Sequence, residues 1–351
     1  MVLVIAAGCK GEPKKGANAS NTPDRQLDSY LGELSACPLA SGGLRVDSAC
    51  PEAVHLVDFG NANRAWIDGN PLKIAKIGEK HLDSPSVSVR VEAVSWIGRT
   101  VAANERSRTV LVELAKTEKD AAVLTAIARA AGRARVAMAP LLETLARGSE
   151  PKVRREAISS WVDPSASPEA ELRGPIAAFV ADSTAPLDAR RRACERIRVG
   201  EDAALLEAVS GLLDADATPR ELFASCFYGL TLSFAGGVKP PSEGSYNKVI
   251  GCLESCPRSG RYDTSLGLVV LDAIFTGKPD AAPPSFVDRA RVERAAVAIA
   301  KDAAATADLR AAALGVLGDP MTATAKTGLS LSEIQAITAS AAASPQPSNP
   351  E

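Results

Sequence analysis

The sequence predicts an all-α fold in which helical hairpins stack along the chain. Alanine, the best helix former, dominates the apolar residues, in runs such as "AVAIAKDAAATADLRAAALGVLG". A short amphipathic pattern recurs along most of the chain, and no segment alternates apolar and polar residues as a strand would. Joints containing Asp, Ser, Thr and Pro separate these segments and supply the residues that begin helices.

The bulk composition narrows the class of protein. The chain has 351 residues, 46% of them hydrophobic, so it can bury a large core. A net charge of −2 and a pI near 5.9 argue against a nucleic-acid partner. No segment reaches the roughly 18 apolar residues that a membrane-spanning helix needs. Because His55 and His81 are the only histidines, we predict no metal and no cofactor.

The first element is a short apolar run, "VLVIAAG", that stops at Cys9. The tract behind the cysteine, "KGEPKKGANASNTPD", has no apolar period and is typical of a disordered linker. The alternative interpretation, a buried first strand of an α/β domain, requires a Gly-rich phosphate turn and an amphipathic helix after the strand. Neither follows Cys9.

This opening resembles the lipobox of bacterial lipoproteins, although Ala6 stands where leucine is usual. The resemblance implies a signal remnant over 1–8, a lipid on Cys9, a tether over 9–23 and attachment to the bacterial cell envelope. Since only eight residues precede Cys9, we expect the true start to lie upstream. Lys10 stands where an Asp marks inner-membrane retention in enterobacterial lipoproteins, so the outer membrane is favoured.

Residues 24–83 are predicted to form an N-terminal helical cap with a loop between two cysteines. Cys37 and Cys50 are separated by a Gly-Gly loop of twelve residues, each is followed by proline, and we predict a disulfide between them. For Cys194 and Cys226, a disulfide and free buried cysteines both remain open. The "CLESC" segment at Cys252 has neither the spacing nor the neighbours of a zinc site.

The body of the chain repeats one frame: an aliphatic residue, often Arg, then small and bulky apolar residues on one helical face. The frame appears at 89–98, 123–132, 153–162, 189–198 and 309–318, and more weakly at 220–229 and 266–275. Second amphipathic helices such as "SRTVLVELAKTEK" and "APLLETLARG" lie between the copies. A hairpin of this size cannot bury its apolar face alone, so neighbouring hairpins must stack.

The frame, with "VR" near its start and "LG" at its end, resembles HEAT repeats. That resemblance implies a right-handed α-solenoid of about seven hairpins over 84–342, followed by a disordered tail over 343–351. It also implies a non-enzymatic scaffold that binds a protein through an extended surface. Alternatives are a cytosolic adaptor or regulator of the same fold and a HEAT-like lyase or glycosylase. The chain carries no nucleophile, phosphate or metalloprotease motif, and no small-molecule substrate is predicted.

Helical periodicity selects the predicted binding surface, the outward side of the second helices. In "SRTVLVELAKTEK" it leaves Glu113 and Lys116 outward; in "APLLETLARG" it leaves Glu143 and Arg147 outward. Glu92, on a first helix, is predicted to lie away from this surface. A cluster of arginines lies in two first helices; its members are Arg154, Arg155, Arg190, Arg191, Arg192, Arg196 and Arg198. The HEAT resemblance implies that arginines at the second position of the frame, which are Arg90, Arg154, Arg190 and Arg310, pair with an Asp of an adjacent turn. The other members of the cluster are predicted to form a solvated face.

Overall fold

The chain is all-helical, as predicted, in the residues that the computed structural model describes. Those residues are 22–43, 45–164, 168–197, 202–215, 217–235, 243–255 and 285–343. They form eighteen α-helices and no strand; one isolated antiparallel bridge joins Leu39 and Val46. Cys9, the tether over 9–21, the repeat copy at 266–275, Cys256 and the tail over 344–351 lie outside the described residues.

The chain divides into two compact units, Met1–Ala130 and Ala131–Glu351. The first unit contains, in order, α1 (Pro23–Glu33), α2 (Pro51–Ala62), α3 (Arg64–Gly69), α4 (Pro71–Lys80), α5 (Val87–Gly98), α6 (Glu105–Thr117) and most of α7 (Ala121–Ala131). Prolines in the first turns of α1, α2 and α4 lose no helical hydrogen bond there, because the first N–H groups of a helix have no partner within it.

The core of the first unit joins the N-terminal helices to the first predicted repeat helix. Leu27 and Leu31 of α1, Phe59 of α2 and Ile74 of α4 belong to one buried cluster, which also contains Trp96 of α5. Burying side chains of this size contributes roughly 1.5–3 kcal/mol each. The helices before residue 84 therefore cover the apolar side of α5, as a terminal cap does in a repeat array.

The second unit contains the remaining eleven helices. They are α8 (Ala139–Ala146), α9 (Pro151–Trp161), α10 (Ala170–Ala181), α11 (Leu187–Arg196), α12 (Ala203–Asp214), α13 (Arg220–Ala235), α14 (Glu243–Ser255), α15 (Arg289–Lys301), α16 (Ala307–Leu317), α17 (Pro320–Thr327) and α18 (Leu331–Ala343).

Within the second unit, helices α9 to α14 pack against the helix two places along, and many helices also pack against their neighbour in sequence. The contacts α9–α11–α13 define one row and α10–α12–α14 define the other, while α10–α11 and α12–α13 join the rows. The second row continues through α15 to α17. Alternating helices thus form two layers with the apolar residues between them, which is the packing that stacked hairpins require.

Helix α14 begins inside a stretch whose composition favours a loop. The composition of "FAGGVKPPSEGSYNK" at 234–248 predicts a projecting loop, but α13 runs to Ala235 and α14 begins at Glu243; residues 236–242 lie outside the described residues. Tyr246 is 1% exposed, and its hydroxyl accepts a hydrogen bond from the Asp288 N–H. The apolar period of α14 starts at Tyr246 itself, inside a stretch whose Pro, Ser and Gly content favours a loop.

Candidate interaction surface and cysteine sites

Glu113 and Lys116 lie outward on α6. Their side chains are 62% and 61% exposed and form an ion pair of 2.6 Å one turn apart. Leu111 beneath them is fully buried, while Val110 and Leu114 on the same helix are half-buried. An exposed pair of this kind contributes at most about 1 kcal/mol to stability, so both side chains remain available to a partner.

Glu143 and Arg147 lie on α8, and the structure uses them internally. Arg147 pairs with Glu143 at 2.9 Å and with Asp182 at 2.7 Å, and its guanidinium lies 5.1 Å from the centre of the Phe179 ring. Hydrogen bonds from the hydroxyl and N–H of Thr184, followed by the bond from Arg147, lower the pKa of Asp182 to about 2. This network joins α8 to the end of α10.

The same kind of link recurs between successive second-row helices. Each pair of neighbours carries an ion pair from one helix, or its cap, to the next: Arg173–Asp202 at 3.2 Å, Lys248–Asp214, Arg291–Glu254 at 2.8 Å and Lys326–Glu293 at 3.3 Å. We call these contacts, together with Arg147–Asp182, the ion-pair ladder. It neutralises many of the charges that periodicity places outward on this row.

Two outward carboxylates on the second row stay outside the ladder. Glu171 of α10 and Glu207 of α12 are exposed and form no ion pair in the described part of the chain. Beside them α10, α12 and α14 carry Gly174, Gly211 and Gly251, where an added Cβ would meet no atom within 4 Å. Glycine inside a helix costs roughly 0.5–1 kcal/mol relative to alanine, and no atom of the described residues would be crowded by a Cβ at these positions.

Glu92, which is predicted to lie away from the second-helix surface, is half-buried and not freely solvated. It lies on α5 one turn from Trp96, whose ring is covered by the Arg99 guanidinium at 4.1 Å. Burial raises the pKa of the Glu92 carboxyl, although Arg99 and Arg45 act in the opposite direction. Periodicity places Glu92 off the second-helix surface, but it gives no signal that neighbouring elements cover it.

Arginines at the second position of the repeat frame pair with acidic residues in two copies, as expected. Arg90 binds Glu118 at 2.9 Å, and Arg154 binds Asp188 at 2.7 Å. Each also donates to backbone carbonyls in the turn before its own helix. These arginines tie one hairpin to the next.

The equivalent arginines in two other copies bind carbonyls instead. Arg190 donates to Val180 O at 2.8 Å and Arg310 to Ala300 O at 3.0 Å, in each case ten residues back at the end of the preceding helix. Arg196 likewise donates to a carbonyl at the end of α9. A cation at a helix C-terminus satisfies free carbonyls and opposes the helix dipole. Two members of the arginine cluster, Arg190 and Arg196, therefore hold helix ends.

Two disulfides join described cysteines to one another. Cys37 and Cys50 are bonded, with Cα atoms 5.8 Å apart. Cys194 of α11 and Cys226 of α13, left open by the sequence, are bonded across the first row with Cα atoms 4.5 Å apart. Cys252 is disulfide-bonded as well. Gly229, one turn beyond Cys226, faces the Cys194 carbonyl so closely that a Cβ there would overlap the oxygen.

Glu52 is a residue that sequence reasoning missed. One of its carboxylate oxygens lies 2.9 Å from Cys50 Sγ and 3.5 Å from Cys37 Sγ, so the two sulfurs and the carboxylate form one group. The sequence "CPE" is its only local signal, because the approach of Cys37 depends on how the loop closes.

Neither protein-family models nor curated proteins match this chain. Among the residues described, no helix combines the length and apolar character needed to cross a membrane.

Proposed function

We propose that this protein is a non-enzymatic scaffold that binds another protein through the outward side of its second-row helices. The observation that carries the proposal is the surface of α10, α12 and α14. There the exposed glycines Gly174 and Gly211 leave room for close approach, and Glu171 and Glu207 offer charge that no described ion pair uses. Destabilising glycines without a packing role are reasonable where a partner's backbone must come close.

We further propose that the hairpins form a right-handed array of about seven HEAT-like repeats. The two alternating rows of the second unit support this arrangement. So do arginines that recur at one position of the frame and bind the adjoining turn or helix end. In such an array the second helices lie side by side, so their outward residues make one extended surface.

The test of the binding surface must use charges that the fold does not need. Reversing Glu143 would break its pair with Arg147 and disturb the link to Asp182, so a loss of binding would be ambiguous. Glu171→Lys with Glu207→Lys changes the surface without removing a described ion pair. We expect this double variant to lose a cross-linked partner that the wild-type chain captures, with little change in helicity or melting temperature.

The matched control reverses two exposed acidic residues on the first row. Glu150 precedes α9 and Asp308 lies in the first turn of α16; both are exposed. Glu150→Lys with Asp308→Lys alters net charge by the same amount and places both lysines at helix N-termini, as Glu171→Lys does in α10. Equal loss of the partner in both double variants would refute the choice of surface.

We propose that a lipid on Cys9 holds the scaffold at the bacterial cell envelope, the outer membrane being favoured. Two or three acyl chains, at about 0.8 kcal/mol per buried CH₂, suffice for stable anchoring, whereas one chain is marginal. Cys9→Ala, expressed with its full upstream signal, should move the protein from the membrane to the soluble fraction. A soluble wild-type chain whose intact mass shows an unmodified Cys9 would leave the cytosolic adaptor as the better interpretation.

A further inference from the structure

We propose that the Cys37–Cys50–Glu52 group is a binding site for a thiophilic divalent cation such as Zn²⁺ once its disulfide is reduced. The two sulfurs and one carboxylate oxygen of Glu52 all lie within 4.8 Å of one another. Thiolate and carboxylate ligands together are a donor set that Zn²⁺ accepts in tetrahedral sites. With three protein ligands, water would fill the fourth position.

The position of Glu52 is the first argument for a cation. Its carboxylate is half-buried and lies over the two sulfurs instead of extending into solvent. No ion pair of the described chain includes Glu52; the N-terminus of α2, in whose first turn it lies, is the positive group beside it. The carboxylate therefore stays ionised next to the two sulfurs and has room in its coordination for a cation between the three ligands.

The second argument is that the loop is shaped by contacts other than the disulfide. Leu39 and Val46 form the antiparallel bridge that closes the loop, and the Ser88 hydroxyl donates to the Cys37 carbonyl at 2.6 Å. Cys50 is fixed as the N-cap of α2. These contacts persist when the sulfur–sulfur bond is cut, so the thiols stay close together and metal binding pays little ordering entropy.

Reduction of the Cys37–Cys50 disulfide requires a dithiol reductant. The reductant gives two electrons and two protons to the Cys37–Cys50 bond and becomes a disulfide itself, which leaves two protein thiols. Zn²⁺ then displaces both thiol protons. Zn–S bonds of 2.3 Å in a tetrahedral site put the sulfurs about 3.8 Å apart. Side-chain rotation supplies this separation, because the Cα atoms already stand 5.8 Å apart.

The experiment titrates the full-length chain with Cd²⁺, a close analogue of Zn²⁺ whose thiolate complexes absorb in the ultraviolet. The chain is reduced with a dithiol, freed of reductant without air and titrated, and bound Cd²⁺ is then displaced with Zn²⁺. We expect reduced wild type to bind one more Cd²⁺ than Cys37→Ser/Cys50→Ser. The oxidised wild type should lack this extra ion. Cys194→Ser/Cys226→Ser is the matched control and should keep it.

The variant Glu52→Gln distinguishes a three-ligand metal site from two thiols that bind the metal without the carboxylate. Loss of outer-shell partners lowers metal affinity about 10–100-fold, so loss of a direct ligand should cost at least tenfold. Glu221→Gln, at the same second position of α13, should change nothing. If the serine variant fails to fold, the oxidised and reduced wild type and Glu52→Gln still decide. Equal affinity of Glu52→Gln and wild type, or an equal stoichiometry before and after reduction, would overturn the proposal.

Discussion

Gly229 and Gly211 lie in neighbouring helices of the second unit, and alanine should have opposite effects at the two positions. A Cβ on Gly229 would overlap the Cys194 carbonyl oxygen, so α11 and α13 would have to separate. The Cys194–Cys226 disulfide prevents that separation, because it ties the same two helices one turn away. A Cβ on Gly211 would meet no atom within 4 Å.

The magnitudes follow from these surroundings. Replacing glycine by alanine in a helix interior gains about 1 kcal/mol at either position. At Gly229 the steric cost belongs at or above the upper end of the roughly 1–3 kcal/mol measured for overpacked cores, because the neighbour is backbone and cannot rotate away. We therefore expect Gly229→Ala to destabilise by about 2 kcal/mol and Gly211→Ala to stabilise by about 1 kcal/mol.

Thermal denaturation followed by circular dichroism measures both changes on the full chain. One kcal/mol corresponds to roughly 2–4 °C in a unit of about this size. The melting temperature of the second unit should fall by about 4–8 °C in Gly229→Ala and rise by about 2–4 °C in Gly211→Ala. If Gly229→Ala is as stable as wild type, the close packing of α11 on α13 is wrong, and with it the first row of the array.

Three further predictions concern the disulfide of the second unit and two carboxyl groups. Cys194→Ser with Cys226→Ser should cost about 4 kcal/mol in urea denaturation, since the bond closes a loop of 32 residues. The pKa of Glu92 is raised in the folded chain, so the folded state loses stability as pH rises and this carboxyl ionises. Glu92→Gln removes that loss, and its melting temperature should therefore rise relative to wild type between about pH 4 and neutral pH. Asp182 has a lowered pKa of about 2, so its stabilisation is present above about pH 4 and is lost as pH falls towards 2; Asp182→Asn should melt lower than wild type at neutral pH and like wild type at the acid end.

Most of the fold could be predicted because its signals are local. The helical period over 107–119 marks α6, and the cap and joint residues place the ends of α9 and α16 within a few positions. Where local composition and packing disagree, prediction fails. Residues 243–248 have the composition of a loop but form the first turns of α14, because Tyr246 is buried within the second unit.

The candidate sites were harder to predict because helical periodicity indicates only which side of its helix a residue faces. It places Glu143 and Arg147 outward, but it cannot indicate that Asp182 and Phe179, from later in the chain, contact the Arg147 guanidinium. The same limitation applies to Glu92, which is covered by elements distant in sequence. An outward charge becomes a candidate for binding only after its neighbours in the array have been accounted for.

The Cys37–Cys50 pair connects the two proposals, because its chemical state depends on the compartment. In an oxidising envelope the disulfide persists, and Glu52 then lies against a bond that leaves no thiolate for a metal. In a reducing cytosol the same residues present two thiols and a carboxylate on a loop already closed by Leu39 and Val46. The lipid-anchored scaffold therefore predicts an oxidised, metal-free site in cells, and the cytosolic adaptor predicts a reduced, metal-binding one. Thiol labelling of the protein in intact cells, compared with its membrane fractionation, tests whether the localisation of the protein and the oxidation state of Cys37 and Cys50 change together.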